Sequence, residues 1–169
     1  HLKPIKRGKL RVALGKKYYT GKRYVHWIIH SRHYAKEKQA NELPHLISEH
    51  RTPLYRGLKD VERIVDDNKV INLCLATKNI SGTIIKPNEV LSYWKLIGNP
   101  SKVKGYVEGM VLDSGKYKMG VGGGLCQLSN LLYWMVLHSP LDVIERHRHS
   151  YDVFPDSKRT QPFGSGATC

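Results

Sequence analysis

The spacing of apolar residues predicts a long helix between residues 58 and 79. Apolar positions recur there every three or four residues, which places them on one helix face, while charged residues occupy the other side. The predicted buried stripe consists of Leu58, Val61, Val65, Asn68, Ile71 and Leu75. Cys74 lies in the same apolar part, so we expect a packed rather than a reactive thiol there.

Shorter apolar runs further along the chain predict strands. A strand over residues 83–85 is expected to precede a turn at 87–88, and a second apolar segment ends with Gly-Asn-Pro at 98–100. Residues 106–124 predict an antiparallel hairpin whose turn is Asp-Ser-Gly at 113–115. This hairpin leads the chain directly into three consecutive glycines.

The glycines Gly122, Gly123 and Gly124 precede a strongly apolar run, which predicts a buried central helix that stops at Ser139 and Pro140. Glycine tolerates positive φ and the close approach of other groups, so three in a row indicate a tight turn. We therefore expect a single α+β domain in which this central helix starts at the glycine turn and packs on a mainly antiparallel sheet.

Residues 141–154 alternate as a strand does. With a period of two, Glu145, His147 and His149 share one face, and Arg146 and Arg148 share the other. We expect this strand to bring the two histidines and a carboxylate together on the sheet.

Cys126 is the first candidate for chemistry. A thiol in the first turn of a helix lies near the positive end of the helix dipole, which lowers the thiol pKa. The backbone amides of Gly122, Gly123, Gly124 and Cys126 and the side chain of Gln127 are candidate donors to an oxyanion. A cysteine at a helix start, followed by a histidine strand, is papain-like by analogy. No Gly-Lys-Ser/Thr follows the glycines, which argues against a phosphate-binding P-loop.

Three interpretations of these residues stay open. In a catalytic site, His149 or His147 takes the Cys126 proton, and Glu145 or Asp152 orients the histidine ring. In a zinc site, Cys126, His147 and His149 bind the metal and leave a fourth position for water. In the third interpretation the histidines are ordinary polar residues of a strand. The catalytic interpretation needs no cofactor, and we expect none.

The net charge of the chain indicates what kind of partner it binds. The chain has 169 residues and a formal net charge of +14, and residues 1–24 form a basic arm with six lysines and three arginines. This charge predicts an anionic partner: nucleic acid, a membrane surface or a cell-wall polymer. Nucleic acid is not expected, because no known nucleic-acid-binding signature is present. The longest apolar run is too short to span a membrane.

The ends of the chain and its cysteines carry weaker indications. The sequence starts at His1 and stops at Cys169, so we expect a fragment at one or both ends, including the C-terminal end. The location would be the cell envelope if an export signal preceded the fragment, and the cytoplasm otherwise. Three widely spaced cysteines predict thiols rather than a disulfide framework.

The segment GVGGGLCQLSNLLYWMVLHSPLDVIERHRHSYDVFPDSKRTQPFGSGATC combines a glycine triplet, Leu-Cys-Gln, Glu-Arg-His-x-His-Ser and a closing Ala-Thr. In this order and spacing it resembles the VanW family. The resemblance extends upstream through residues 50–109 and covers roughly the whole chain. It makes residues 25–169 a VanW-like domain behind the basic arm 1–24.

The resemblance implies a role in the cell wall and in vancomycin resistance. VanW domains of larger cell-wall proteins have been linked to L,D-transpeptidase activity, which forms 3-3 cross-links in peptidoglycan. The expected function is therefore cell-wall peptide acyl transfer, with peptidoglycan stem peptides or their precursors as partners. Carried over by motif, the nucleophile is Cys126, and the candidates beside it are Glu145, Arg146, His147, His149 and Ser150.

Two further functions remain possible under the same resemblance: a non-catalytic accessory that binds peptidoglycan or its precursors, and a zinc-dependent hydrolase of the same substrate. In the enzyme, Arg146 or Arg148 would hold a substrate carboxylate. The closing motif has Gly166 where many relatives have aspartate, so Asp152 or Glu145 would have to replace that carboxylate.

Overall fold

The structure is a computed structural model that describes residues 8–55, 63–113 and 116–147. The described residues form four α-helices, two short 3-10 helices and one two-stranded antiparallel sheet, in a single-domain α+β fold, as predicted. The α-helices and strands are α1 (Lys9–Ile29), α2 (Arg63–Ile80), α3 (Tyr93–Ile97), β1 (Glu108–Asp113), β2 (Lys116–Val121) and α4 (Leu125–Leu137), and the 3-10 helices are Ser31–His33 and Lys102–Lys104.

Helix α2 is the element on which the others pack, since β1, α3 and α4 all contact it. The buried face of α2 packs with Ile97, Tyr106 and Leu125 to form the hydrophobic core. The helix itself was predicted, but its buried face was not. The buried residues of α2 are Asn72, Leu73, Ala76 and Ile80, whereas the predicted Ile71 is 44 % exposed.

The displacement of this face has a physical reason. It contains an asparagine and a small alanine, which apolar periodicity does not identify as core residues. Cys74 lies away from this face and is exposed, so the prediction of a packed Cys74 thiol was wrong.

The predicted hairpin is confirmed. β1 and β2 pair from Glu108 with Val121 to Asp113 with Lys116, and residues 114–115 of the predicted turn lie outside the described residues. Asn68 of α2 donates a hydrogen bond of 2.8 Å to the carbonyl of Glu108, which fastens the start of β1 to the helix. The hairpin therefore brings the chain to the glycines beside α2.

The segment between α2 and the hairpin follows its turn signals. The predicted strand 83–85 is present only as an isolated bridge between Thr83 and Lys38. Next to it, the amide of Ile84 donates a hydrogen bond to the carbonyl of Glu37 at 3.0 Å. The turn at 87–88 is present with Asn88 at φ 67°, and α3 ends at Gly98 with φ 71°.

Helix α4 starts at the glycine turn as predicted and packs against α2. Leu125 and Ser129 are its buried residues, and most of its other side chains are half-buried. The papain-like arrangement stays an analogy. The predicted histidine strand is wrong over the described residues 141–147, which are irregular and almost entirely exposed, while 148–154 lie outside the described residues. These residues have no partner strand there; their side chains contact α1 and α4 instead.

The basic N-terminal segment is a helix over most of its length. α1 contains no buried residue, and the described side chains that bond it to the rest of the domain lie on one side near its C-terminal end. Lys95 donates to the carbonyl of Trp27 at 3.1 Å, and the hydroxyl of Tyr34 lies 3.1 Å from Nδ1 of His26. Among the described residues, no helix is long and apolar enough to cross a membrane.

Candidate functional site

The glycine turn before Cys126 is held by one buried asparagine. Asn72 is fully buried, and its side-chain amide donates to the carbonyls of Gly123 at 2.9 Å and Val107 at 3.1 Å. Its carbonyl oxygen accepts the amide of Val107 at 2.9 Å. Asn72 therefore joins α2, the entry to β1 and the glycine turn, and all of its hydrogen bonds go to backbone groups. Buried polar groups that are fully bonded in this way fix the local geometry.

The glycines are required by their surroundings, as Gly123 and Gly124 show most clearly. A Cβ atom on Gly123 would overlap the backbone of Gly109 in β1. Gly124 has φ +90°, and a Cβ atom there would also collide with the side chain of Lys69. Glycine is the residue that meets both conditions, so the triplet sets the position at which α4 begins.

Cys126 is the second residue of α4 and is half-buried. The hydroxyl of Tyr93 donates to the carbonyl of Leu125 at 2.8 Å, and the hydroxyl of Ser129 donates to the carbonyl of Cys126 at 3.0 Å. Backbone N–H groups in the first turn of a helix point away from the helix, toward a group placed at its end. The fold therefore puts the Cys126 thiol where a helix dipole favours negative charge.

The amides of the glycines are already used by the fold. Gly122 donates to the carbonyl of Val107 at 3.0 Å, Gly123 to Gly120 at 3.1 Å, and Gly124 to Met110 at 3.1 Å. These hydrogen bonds shape the turn.

Gln127 joins α4 to an upstream segment. Its side-chain amide donates to the Oγ1 atom of Thr52 at 3.1 Å and to the carbonyl of Pro53 at 2.9 Å. Close by in sequence, the ring of His50 lies 5.8 Å from the ring of Trp134 in α4. Residues 50–53 therefore run along one side of α4.

Glu145 and His147 are brought together as the alternation predicted. Nε2 of His147 lies 3.0 Å from Oε1 of Glu145, and the guanidinium of Arg23 binds the same carboxylate through both of its terminal nitrogens. The Arg23 hydrogen bond, followed by that of His147, lowers the pKa of Glu145 to about 2. The carboxylate is therefore negative throughout the physiological range, and it can orient the His147 ring.

Arg146 contacts α4 rather than α1. Its Nη1 atom donates to the hydroxyl of Tyr133 at 3.0 Å, and its guanidinium lies 4.4 Å from the centre of the Tyr133 ring. The chain leaves α4 at Leu137, and the Arg146 side chain contacts the helix again at Tyr133.

Not every predicted site residue falls within the described residues. Arg148, His149, Ser150, Asp152 and Gly166 lie outside them. Among the residues that are described, no cluster of three histidine, cysteine or acidic side chains has the arrangement of a metal site. The proposed zinc ligands include His149, so the zinc interpretation stays a prediction.

Sequence reasoning missed the residues that position the site. Asn72 carried a signal, since an asparagine between apolar neighbours in a helix indicates a specific hydrogen-bonding role. Arg23 and Tyr133 carried none, because their partners Glu145 and Arg146 are set by tertiary structure.

The VanW family, described as VanW like protein, matches residues 68–169. Over 135 residues the chain is 38 % identical to the vancomycin B-type resistance protein VanW of Enterococcus faecalis, a match that covers 80 % of this chain and 49 % of the relative. Over 82 residues it is 33 % identical to the uncharacterized protein YoaR of Bacillus subtilis, covering 48 % of this chain and 27 % of the relative. The chain thus spans about half the length of the first relative and about a quarter of the second. No solved structure matches the chain.

Proposed function

Because the chain belongs to the VanW family, we propose that it carries out cell-wall peptide acyl transfer of the L,D-transpeptidase type, with Cys126 as nucleophile, in support of vancomycin resistance. The resistance role rests on the similarity to the vancomycin B-type resistance protein of Enterococcus faecalis. The activity rests on the site.

The observation that carries the proposal is the buried clamp of Asn72 on the glycine turn. The clamp and the glycine triplet, which the fold needs to bring the turn against β1, together fix the position of one half-buried cysteine. An activated nucleophile at a helix N-terminus requires such rigid placement.

In the proposed reaction, the Cys126 thiolate attacks the carbonyl carbon of an L,D peptide bond in a donor stem peptide. The tetrahedral intermediate collapses with breakage of the C–N bond, and the leaving D-alanine takes a proton from the catalytic histidine. The thioester that remains is attacked by an amine of an acceptor stem peptide. The histidine accepts the proton of that amine, the new amide forms, and the thiolate is released.

The histidine segment contacts the same helix that carries Cys126. Arg146 bonds to Tyr133, which lies seven residues, or about 10.5 Å, along α4 from Cys126. We propose that His149 or His147 serves as the base, that Glu145 orients it, and that Arg146 or Arg148 holds a substrate carboxylate.

The oxyanion donors that we propose are the amide of Cys126 and the side chain of Gln127. Gln127 would exchange one of its hydrogen bonds to residues 52–53 for one to the substrate. The glycines Gly122, Gly123 and Gly124 contribute the shape of the turn, because their amides bond to Val107, Gly120 and Met110.

The test is to trap the thioester. The protein is incubated with a tetrapeptide stem that ends in D-alanine, and the Cys126 peptide is examined by mass spectrometry. We expect an adduct with the mass of the donor minus D-alanine, together with one equivalent of released D-alanine. Cys126→Ala abolishes both, and the matched variant Cys74→Ala, at an exposed cysteine of α2, retains both.

The other two functions predict different results. Peptide binding without an adduct, unchanged in Cys126→Ala, would contradict the enzyme and support a non-catalytic peptidoglycan-binding accessory. Hydrolysis without an adduct, stopped by a chelator and restored by zinc, would contradict the thioester route and support the zinc-dependent hydrolase.

A further inference from the structure

Helix α1 presents two chemically different faces. The side that contacts the rest of the domain carries Arg23, His26 and Trp27, which meet Glu145, Tyr34 and Lys95. At 100° per residue, the opposite side carries a stripe of apolar and aromatic residues that is interrupted at Gly21.

This stripe is exposed along the whole helix. Leu10 is 74 % exposed, Leu14 59 %, Tyr18 66 %, Val25 54 % and Ile28 73 %. Isolated exposed apolar side chains are ordinary, but a stripe of five that runs along a helix of 21 residues marks an interaction surface.

The charges of α1 have one sign. The helix contains no aspartate or glutamate, and its basic residues are Lys9, Arg11, Lys16, Lys17, Lys22 and Arg23. On the helical projection Lys17 borders one edge of the stripe, and Arg11 and Lys22 border the other. An apolar stripe with basic borders is the pattern of helices that lie in the interface of anionic membranes.

We propose that α1 is a membrane-surface helix, which lies on an anionic lipid bilayer with its apolar stripe in the boundary between headgroups and acyl chains. Its bordering lysines and arginine extend to the lipid phosphates while their stems stay in the apolar layer. The helix lies on the bilayer and does not cross it, in agreement with the absence of any membrane-spanning helix among the described residues.

Other occupants fit this surface less well. A soluble anionic polymer would neutralise the basic residues but leave the stripe in water. A second copy of the chain would bring together two helices that each carry six basic and no acidic residues, and like charges at such a contact oppose association. A lipid surface satisfies the stripe and the charges together.

The test is co-sedimentation of the full chain with sucrose-loaded vesicles, either phosphatidylglycerol with phosphatidylcholine or phosphatidylcholine alone. We expect binding to the anionic vesicles and at least about tenfold weaker binding to the neutral ones. The double variant Leu14→Ser/Ile28→Ser should weaken binding about tenfold or more, while the control Val103→Ser, at a residue that is 99 % exposed outside α1, should leave it unchanged. Lys17→Gln should cost about fivefold and the control Lys36→Gln much less.

A tryptophan placed in the stripe distinguishes the sources of binding. The fluorescence of Tyr18→Trp, read against the unsubstituted protein, should be quenched by brominated lipid in anionic vesicles. Binding that is unaffected by Leu14→Ser/Ile28→Ser and gives no lipid quenching would overturn the proposal and indicate attraction to the anionic surface by charge alone. Equal binding to neutral vesicles would overturn the proposal as well. So would a concentration-dependent dimer that the stripe substitutions disrupt without changing vesicle binding.

Discussion

The cysteine side and the histidine side of the candidate site are held by different kinds of interaction. Before Cys126, the glycine turn is fixed by backbone hydrogen bonds and by Asn72, which is fully buried. At Glu145 and His147, the chain is held by ion pairs whose side chains are 42 to 73 % exposed. Buried and fully bonded polar groups are costly to disturb, whereas exposed ion pairs contribute little.

This difference suggests a division of labour. The fold fixes the position of the cysteine, while the histidine segment is attached by contacts that salt and pH can weaken. In an acyl-transfer enzyme this would place a rigid nucleophile beside a base that can adjust to donor and acceptor in turn. Changes on the cysteine side should therefore affect folding, and changes on the histidine side should affect chemistry with little effect on folding.

The largest effect is expected at Gly123. Gly123→Ala should lower the free energy of unfolding by about 3 kcal/mol, because its Cβ atom would overlap the Gly109 backbone. Denaturant titration measures this change. The control is Gly21→Ala, where nothing lies within 4 Å of the new Cβ atom and helix propensity predicts a stabilisation of up to about 1 kcal/mol. Equal effects at the two positions would contradict the close approach of β1 and the turn.

Asn72→Leu should have the next largest effect. The amide of Val107 and the carbonyl of Gly123 lose their Asn72 partner inside the protein, which costs about 2 kcal/mol. Asn79→Ala is the matched control in the same helix, since the side chain of Asn79 is exposed and donates to the Leu75 carbonyl one turn away, and it should cost about 0.5 kcal/mol or less. If Asn72→Leu proved as mild as Asn79→Ala, the clamp would have no energetic role.

Glu145→Gln should have the smallest effect on stability, about 1 kcal/mol or less, because its partners are solvent-exposed. The pKa of Glu145 falls on folding, from its ordinary 4.5 to about 2. The contribution of its charge is therefore present above pH 4.5 and is lost as the pH falls toward 2. The stability difference between the wild type and Glu145→Gln, measured by denaturant titration at several pH values, should disappear over that window. A difference that grew with acidity would have the wrong sign for this ion pair.

The features that depend on residues close in sequence could be predicted from the sequence. The hairpin and the start of α4 follow from a short turn and from glycines, and the contact of Glu145 with His147 joins residues only two apart. These features depend on neighbours within a few residues, so no knowledge of the tertiary fold is needed to infer them.

The remaining features depend on contacts distant in sequence. Asn72 belongs to the buried face of α2 because its side chain bonds to Val107 and Gly123. These partners lie 35 and 51 residues further along the chain, so local patterns do not reveal them. Alternation predicts a strand over residues 141–147, but a strand also needs a neighbouring strand to pair with. Among the described residues, 141–147 have no such neighbour. The sequence predicts only a basic arm at residues 1–24, because α1 has no buried residue and its fixed contacts come from residues distant in sequence.

The most direct test of the central claim, that the fold presents Cys126 as a thiolate nucleophile, is the pH dependence of its alkylation by iodoacetamide. Cys74 in the same sample is the internal reference, since it is exposed in the middle of α2, and peptide mass spectrometry separates the two sites. The account predicts that Cys126 reacts with an apparent pKa well below the ordinary value of about 8.5 and below that of Cys74, whether or not zinc is present. Slow reaction of Cys126 with an apparent pKa at or above that of Cys74 would contradict the claim.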